Sequence, residues 1–338
     1  MPKNSEQIRQ FILEHVEDHP SDITSLVSGT FSISRQASHR YVQKMVSDGL
    51  VIAEGNTRDR KYEVKPLANF STQVALKGLK EDKLWREHIV QLVQNVSANV
   101  LQICQHGFTE MVNNAIDHSE GTLLTIKVLH TYKVLKIQIS DNGVGIFNKI
   151  QKAFHLDDPL HAILELSKGK LTTDPARHSG EGIFFTSRIF DQFVIVSDKL
   201  SFMHFDANND WLVENKEVIV SGTAISMQIS LDSKRTTQQV FDKFTSDDFS
   251  FTKTHVPVFL ARYGNENLVS RSQAKRLLAR FERFKEIVLD FDTVDSIGQA
   301  FADEIFRVFT NQNPGIHLIP VNTNEQIQKM IAHVRNAS

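Results

Sequence analysis

Four short segments between residues 106 and 230 constrain this chain more than any bulk property, because they place polar and glycine residues at the ends of helices and strands in a fixed order. The first is HGFTEMVNNAIDHS, residues 106–119, in which Phe108, Met111, Val112, Ala115 and Ile116 fall on one apolar helical face. Glu110 and Asn114 stand four residues apart and share the opposite face. The second is LKIQISDNGVGI, residues 135–146, where an alternating strand (Leu135, Ile137, Ile139) runs straight into Asp141-Asn142-Gly143-Val144-Gly145. In the third, HSGEGIFFTSRIFD, residues 178–191, Gly180 and Gly182 open an apolar helix. The fourth, SGTAISMQIS, residues 221–230, begins a strand at Gly222-Thr223. A lone Gly-x-Gly is a turn and a lone Glu-x-x-x-Asn is a surface pattern. The ordered set, in matching helix, strand and loop contexts, is far more specific.

That set resembles the N box, the two glycine boxes and the late threonine strand of the GHKL ATPases, the superfamily of gyrase, chaperone, histidine-kinase and mismatch-repair ATPases. Within it, the spacing is most similar to the serine-kinase anti-sigma factors and histidine-kinase catalytic domains. The resemblance implies a two-layer α/β sandwich at residues 66–235 that binds ATP with magnesium. Asp141 would accept from the adenine amino group, and Gly143 and Gly145 would let the backbone approach the base without a Cβ clash. Asn114 would give its amide oxygen to magnesium, a hard cation that keeps several waters. Gly180 and Gly182 precede a helix N-terminus whose free N–H groups can cradle phosphate oxygens. Thr223 would order a water beside the adenine. The segment between Gly145 and Gly180, with Lys168, Gly169, Lys170, Arg177 and His178, is expected to form a polar, mobile lid.

Glu110 has two readings. In the ATPases and serine kinases of the superfamily the matching Glu is the general base that activates water or a hydroxyl. The alternative is a carboxylate that only orders the helix and a water. A two-component histidine kinase is disfavoured, because only residues 66–105 precede the first motif and His88 lacks the acidic residue that usually follows a phosphoaccepting His. The stretch from Lys83 to Cys104 reads instead as one packing helix. His106, His118, His155, His161 and His178 match no zinc signature.

Upstream, the apolar stripe Ile8, Phe11, Ile12 and Val16 predicts a first helix, Ser21 to about Val27 a second, and a third runs to Asp48 from a cap at Ser32 or Ser34. Gly49 ends the third helix. Strands Leu50–Glu54 and Lys61–Val64 follow around a Gly-, Asn- and Arg-rich turn. Three helices and a hairpin are the order of a winged helix-turn-helix, and SISRQASHRYVQKMVSDGLV resembles the recognition helix and first wing strand of bacterial transcription regulators. Arg35, Gln36, His39 and Arg40 suit base edges, and Arg58 and Arg60 suit phosphates. Residues 31–65 carry seven basic and four acidic side chains, against two and five in residues 1–30. The alternative is a winged helix used only for protein contact or dimerisation.

After residue 235, strands Val256–Leu260, Ile287–Phe291 and Ile316–Pro320 alternate with helices Arg271–Phe284, Gln299–Phe309 and Glu325–Val334. IVLDFDTVDSIGQAFADEIF resembles STAS-like domains, relatives of the anti-sigma-factor antagonists. In the antagonists the matching loop reads Asp-Ser-Ser-Gly and its second Ser accepts phosphate; here the loop is Asp295-Ser296-Ile297-Gly298, with Ile297 at the acceptor position. Arg271, Lys275, Arg276, Arg280 and Arg283 are expected to form a solvated basic face.

The length, 338 residues, accommodates two or three domains of roughly 100–200 residues each. Net charge is −2, which argues against a wholly basic nucleic-acid coat. The single cysteine, Cys104, excludes an internal disulfide framework. The polar start MPKNSEQIRQ and the absence of a run of roughly 18 apolar residues predict a cytoplasmic protein with no membrane partner. The resulting expectation is an α/β multidomain chain: winged helix at 1–65, GHKL domain at 66–235, STAS-like domain at 236–338. Its expected function is that of a bacterial-type transcriptional or signalling regulator. It would be a slow magnesium-dependent ATPase switch with ATP or ADP, double-stranded DNA and a protein partner as ligands, and the superfamily resemblance suggests a homodimer. A serine/threonine protein kinase of the anti-sigma type and a nucleotide sensor without chemistry are the alternatives.

Overall fold

The computed structural model describes residues 3–56, 59–94, 96–172, 179–205, 209–214, 220–262 and 266–336. The chain begins with three helices, α1 (Lys3–His15), α2 (Ile23–Phe31) and α3 (Arg35–Ser47). A hairpin follows, β1 (Val51–Glu54) and β2 (Lys61–Val64), paired from Val51↔Val64 to Glu54↔Lys61. Ser34 is the N-cap of α3, its hydroxyl accepting from the Ala37 N–H at 3.2 Å. Helix α2 runs on past Gly29 to Phe31, beyond the expected end at Val27, and there the Phe31 ring meets Phe11 edge-on at 5.2 Å. Burial of that ring outweighs the weak helix propensity of Gly29. Ile8, Ile12, Val16, Ile23, Val27, Val42, Met45, Val51, Tyr62 and Val64 close a separate core for residues 1–64.

A seven-stranded antiparallel sheet comes next, in the order β3 (Ala68–Ala75), β4 (Leu123–His130), β5 (Val134–Asp141), β9 (Val220–Ser230), β6 (Gln192–Asp198), β7 (Leu200–Phe205), β8 (Asn209–Glu214). Alternate residues of the central strands, such as Ile126, Ile137, Ile195 and Met227, are buried on one face, while Lys127 and Gln138 are exposed on the other. Between β3 and β4 run α4 (Glu81–Leu84), a π turn (Trp85–Ile89), a 3-10 turn (Val90–Val93) and α5 (Ala98–His118). The single helix expected from Lys83 to Cys104 is therefore broken near Gln94, which is extended (φ −68°, ψ 152°), and α5 starts afresh after Ser97. The polar Gln94 and Ser97 compete with helical bonding and favour a cap. Helix α5 lies close on the sheet because a Cβ at Gly107 would strike the Phe190 ring.

Helices α6 (Ile146–Ala153), α7 (Leu160–Lys168) and α8 (Gly182–Ile189) connect β5 to β6, and α9 (Thr237–Phe244) follows β9 with a complete capping box at Thr236 and Gln239. The last layer is a parallel sheet, β10 (Lys253–Pro257), β11 (Glu286–Asp290) and β12 (His317–Val321), in that spatial order. With it come α10 (Arg271–Leu278), α11 (Gln299–Asp303), α12 (Thr310–Gln312) and α13 (Glu325–Asn336). The first strand starts earlier than expected and stops at Pro257, after which Val258–Ala261 coil into a 3-10 turn. Helix α10 stops before Arg280, which takes a left-handed φ of 64°.

The hydrophobic core is continuous from Leu76 to Val334 and has no break at residue 235. Phenylalanines fill the seam. Phe184 of α8 lies 4.6 Å from Phe251, Phe185 lies 4.1 Å from Phe241 of α9, and Phe251 meets Phe284 at 5.4 Å. Residues 1–64 reach this body through the Lys133–Asp18 ion pair at 2.7 Å, whose side chains are 38% and 63% exposed, so that it contributes little. We expect calorimetry to resolve two transitions, one for residues 1–64 and one for residues 66–338 together. Phe251→Ala should lower the second by about 3–5 kcal/mol and leave the first in place. Independent melting of residues 236–338 would contradict the shared core.

Candidate functional site

One cleft gathers the four sequence segments. It is lined by Glu110 and Asn114 of α5, Asp141 at the end of β5, Gly145 before α6, Gly180 and Gly182 at the start of α8, and Thr223 of β9. Helix α5 has to present Glu110 and Asn114 here, since Phe108, Met111 and Val112 occupy its sheet-facing side.

Asp141 is half-buried, and burial raises its carboxyl above the usual carboxylate range against hydrogen bonds that lower it. Its Oδ1 accepts from the Gly143 N–H at 2.8 Å and the Thr223 N–H at 3.3 Å. Gly143 packs on the end of α5, where a Cβ would collide with the Ser119 carbonyl, and the Val144 N–H donates to that same carbonyl at 2.9 Å. Gly145 is left-handed at φ +84°, and a Cβ there would sit 2.5 Å from Ser197 Oγ. Ser197 Oγ in turn donates to the Gly222 carbonyl at 2.7 Å. Thr223 Oγ1 accepts from the Ile146 N–H at 3.0 Å, so the threonine caps the turn into α6. The loop around Asp141 is therefore fixed from both β9 and α5.

At the other end, the Asn114 amide nitrogen approaches Met111 Sδ at 4.0 Å. The Glu110 carboxylate lies against Gly182, in the space a Cβ would fill. His106, one turn earlier on α5, is depressed below its ordinary value by burial, with Glu110 pulling the other way. Lys149 and Leu171 are among the lining residues that escaped the sequence reading. Lys149 projects from α6 and donates to the His118 carbonyl at 2.7 Å and to Glu120 at 2.9 Å. Its signal was local, a lysine one turn beyond Gly145. Leu171 has no comparable signal; it lines the cleft, and its N–H donates to the Gly180 carbonyl at 3.2 Å.

The expected polar, mobile lid is corrected for its described part. Residues 146–172 hold two helices, and Lys168 is fully buried. Lys168 Nζ donates to Glu165 at 2.7 Å and to the Arg276 and Ala279 carbonyls at 3.1 and 3.0 Å. Burial pushes its ammonium down, to about 7, with the field of Glu282 opposing. The direct contact with Glu165 and the two carbonyls favours the charged form, and we read it as ammonium. The expected basic face is solvated at Arg271, Lys275 and Arg283, which are exposed, and half-buried at Arg276 and Arg280. Arg280 pairs with Glu165, Arg276 donates to the Ala261 carbonyl at 3.1 Å, and Arg283 donates to the Lys170 carbonyl at 2.9 Å. Arg177 and His178 lie outside the described residues. No group of three or more metal-binding side chains occurs among the described residues.

In the first unit, Arg35, Gln36, His39 and Arg40 are exposed along one side of α3, and Arg60 is exposed in the hairpin connection. Arg35 donates to Ser25 Oγ at 3.3 Å. Arg58 lies outside the described residues.

A family model described as a STAS-like domain of unknown function (DUF4325) matches residues 273–328, from α10 into α13. That stretch is STAS-like, and its Ile297 is buried, bridged to Leu268. The chain matches no curated protein. Among the described residues, no helix is long and apolar enough to cross a membrane.

Because burial raises Asp141 in the folded state, folding stability falls as pH rises from the ordinary carboxylate value through the raised one. Asp141→Asn keeps an oxygen for Gly143 and Thr223 and removes the desolvated charge. We expect it to melt on the order of 2 °C higher at pH 7, with the gain absent at pH 3. A lower melting temperature at pH 7 would contradict the assignment.

Proposed function

We propose that the chain is an ATP-responsive regulator in which a GHKL-type cleft binds ATP with magnesium and residues 1–64 form a DNA-reading winged helix. The observation that carries this reading is the half-buried Asp141 carboxylate, which lines the cleft while the Gly143 and Thr223 N–H groups fix its Oδ1. Gly143 and Gly145 flank it where no side chain fits. A buried acceptor among bare glycine backbone suits the amino edge and flat face of adenine. Asn114 supplies the hard oxygen that magnesium requires. Bound magnesium would offset charge on the phosphate oxygens. The start of α8 at Gly182 presents backbone N–H groups towards that end. Glu110, one helical turn from Asn114, is placed to take a proton from an attacking water.

Support for the DNA reading comes from α3. Its solvent side carries Arg35, Gln36, His39 and Arg40, while Val42 and Met45 anchor it to the core. A phosphate acceptor within the STAS-like loop is disfavoured, since Ile297 is apolar and buried. The protein-kinase alternative would therefore need an acceptor elsewhere. The STAS-like domain suits a protein partner.

Incubation of the chain with magnesium and γ-labelled ATP tests the chemistry. We expect slow release of labelled phosphate, lost in Asp141→Ala and reduced at least about a hundredfold in Glu110→Ala. Label on the protein would replace the ATPase reading with a kinase. For DNA, we expect salt-dependent duplex binding that Arg35→Ala with Arg40→Ala weakens by more than tenfold. No duplex binding at low salt would remove that role.

A further inference from the structure

Residues 165–171 touch two things at once, the cleft and the C-terminal layer. On the cleft side, Leu166 and Leu171 line the wall, and the Leu171 N–H is bonded to the carbonyl of Gly180 at the start of the α8 turn. On the other side the contacts are polar, buried at Glu165, Lys168 and Thr254 and exposed at Arg283. Glu165 meets Lys168 at 2.7 Å and also pairs with Arg280, and the side chains of Glu165 and Lys168 are 5% and 0% exposed. Thr254 Oγ1 of β10 donates to the Lys168 carbonyl at 2.7 Å. Lys170 and Arg283 exchange bonds reciprocally, each side chain donating to the other's carbonyl at 2.9 Å. The Lys170 ammonium also lies over the Phe251 and Phe284 rings, 5.4 and 4.9 Å from their centroids. Gly169 fits between Phe251 and Phe184, where a Cβ would come within 2.9 Å of both rings.

In this docked arrangement the cleft is too small. Its free interior is about 140 Å³, against roughly 300–1,000 Å³ for a site that encloses a small molecule. The Glu110 carboxylate fills the space beside Gly182, and the Leu171 N–H is tied to the Gly180 carbonyl, so the docked segment takes up room at that end of the cleft. Buried ion pairs hold a geometry well only while every partner is present. The docked segment therefore competes with a triphosphate for the same space.

We propose that the C-terminal layer is a latch on the cleft: docking of Glu165, Lys168 and Lys170 against residues 251–254 and 276–283 holds residues 160–171 over the phosphate end, and nucleotide enters only when the latch releases. This rests on the nucleotide reading of the cleft. By linkage, nucleotide then weakens the docking as much as docking weakens nucleotide. A partner that captured the C-terminal face in its released form would raise nucleotide affinity in turn.

The test uses the full chain, magnesium and a fluorescent ATP analogue, with Arg280→Ala and Arg283→Ala. Neither residue lines the cleft. Arg280→Ala leaves Glu165 paired with Lys168, and Arg283→Ala is the milder change should the first variant fold poorly. We expect each folded variant to bind the analogue more tightly than the parent chain, Arg280→Ala by about fivefold or more. Hydrogen exchange in residues 160–171 should be faster in both before nucleotide is added. Unchanged or weaker affinity in folded variants would overturn the latch while leaving the nucleotide site intact. If the parent chain and both variants fail to bind the analogue at millimolar concentration, the nucleotide reading falls and the latch falls with it.

Discussion

The Glu165–Lys168–Arg280 cluster governs how this chain holds together. Three charged groups leave water at one seam, and each is tolerable only because the others, with the Arg276 and Ala279 carbonyls, surround it. Removal of one partner from such a cluster typically costs about 3–5 kcal/mol. The cluster joins helix α7 to the end of α10, and the phenylalanines beside it extend the sheet's core into the C-terminal layer. Residues 66–336 are therefore stitched by ions as well as by apolar burial, while residues 1–64 keep a core of their own.

The cleft depends on that stitching indirectly. Its Asp141 end is rigid: Asp141, Gly143, Gly145, Ser197, Gly222 and Thr223 brace one another through short bonds and close backbone contacts. The opposite end, at Gly180 and Leu171, is built from segments that have a second attachment, to the C-terminal layer. The proposed switch needs that asymmetry, because a ligand shifts an equilibrium only through different contacts in the two states.

Much of the site was legible in the sequence because its signals are local. A strand that ends in Asp and two glycines, or Glu and Asn one turn apart on a helix, determines geometry within a few residues. Glu110, Asn114, Asp141, Gly145, Gly180, Gly182 and Thr223 all line the cleft, and Gly143 packs behind Asp141 on the end of α5. The alternation of strands and helices after residue 250 was legible for the same reason, with boundaries displaced where Pro257 and Arg280 interrupt regular structure. The docked segment was not legible. Lys168, Lys170 and the arginines of residues 271–283 read as solvated, because lysine and arginine usually are. The burial of Lys168 comes from partners more than a hundred positions away, such as the Arg276 carbonyl. The break near Gln94 was missed because the apolar spacing continues through it, whereas the backbone does not.

The central claim is that the cleft beside Asp141 receives adenine. Photo-crosslinking with 8-azido-ATP in the presence of magnesium, followed by mapping of the labelled peptide, tests it directly. The account predicts label within residues 139–150 or 220–226, competed by unmodified ATP and absent in Asp141→Ala. Label spread over unrelated surface peptides, or label unaffected by that substitution, would contradict it.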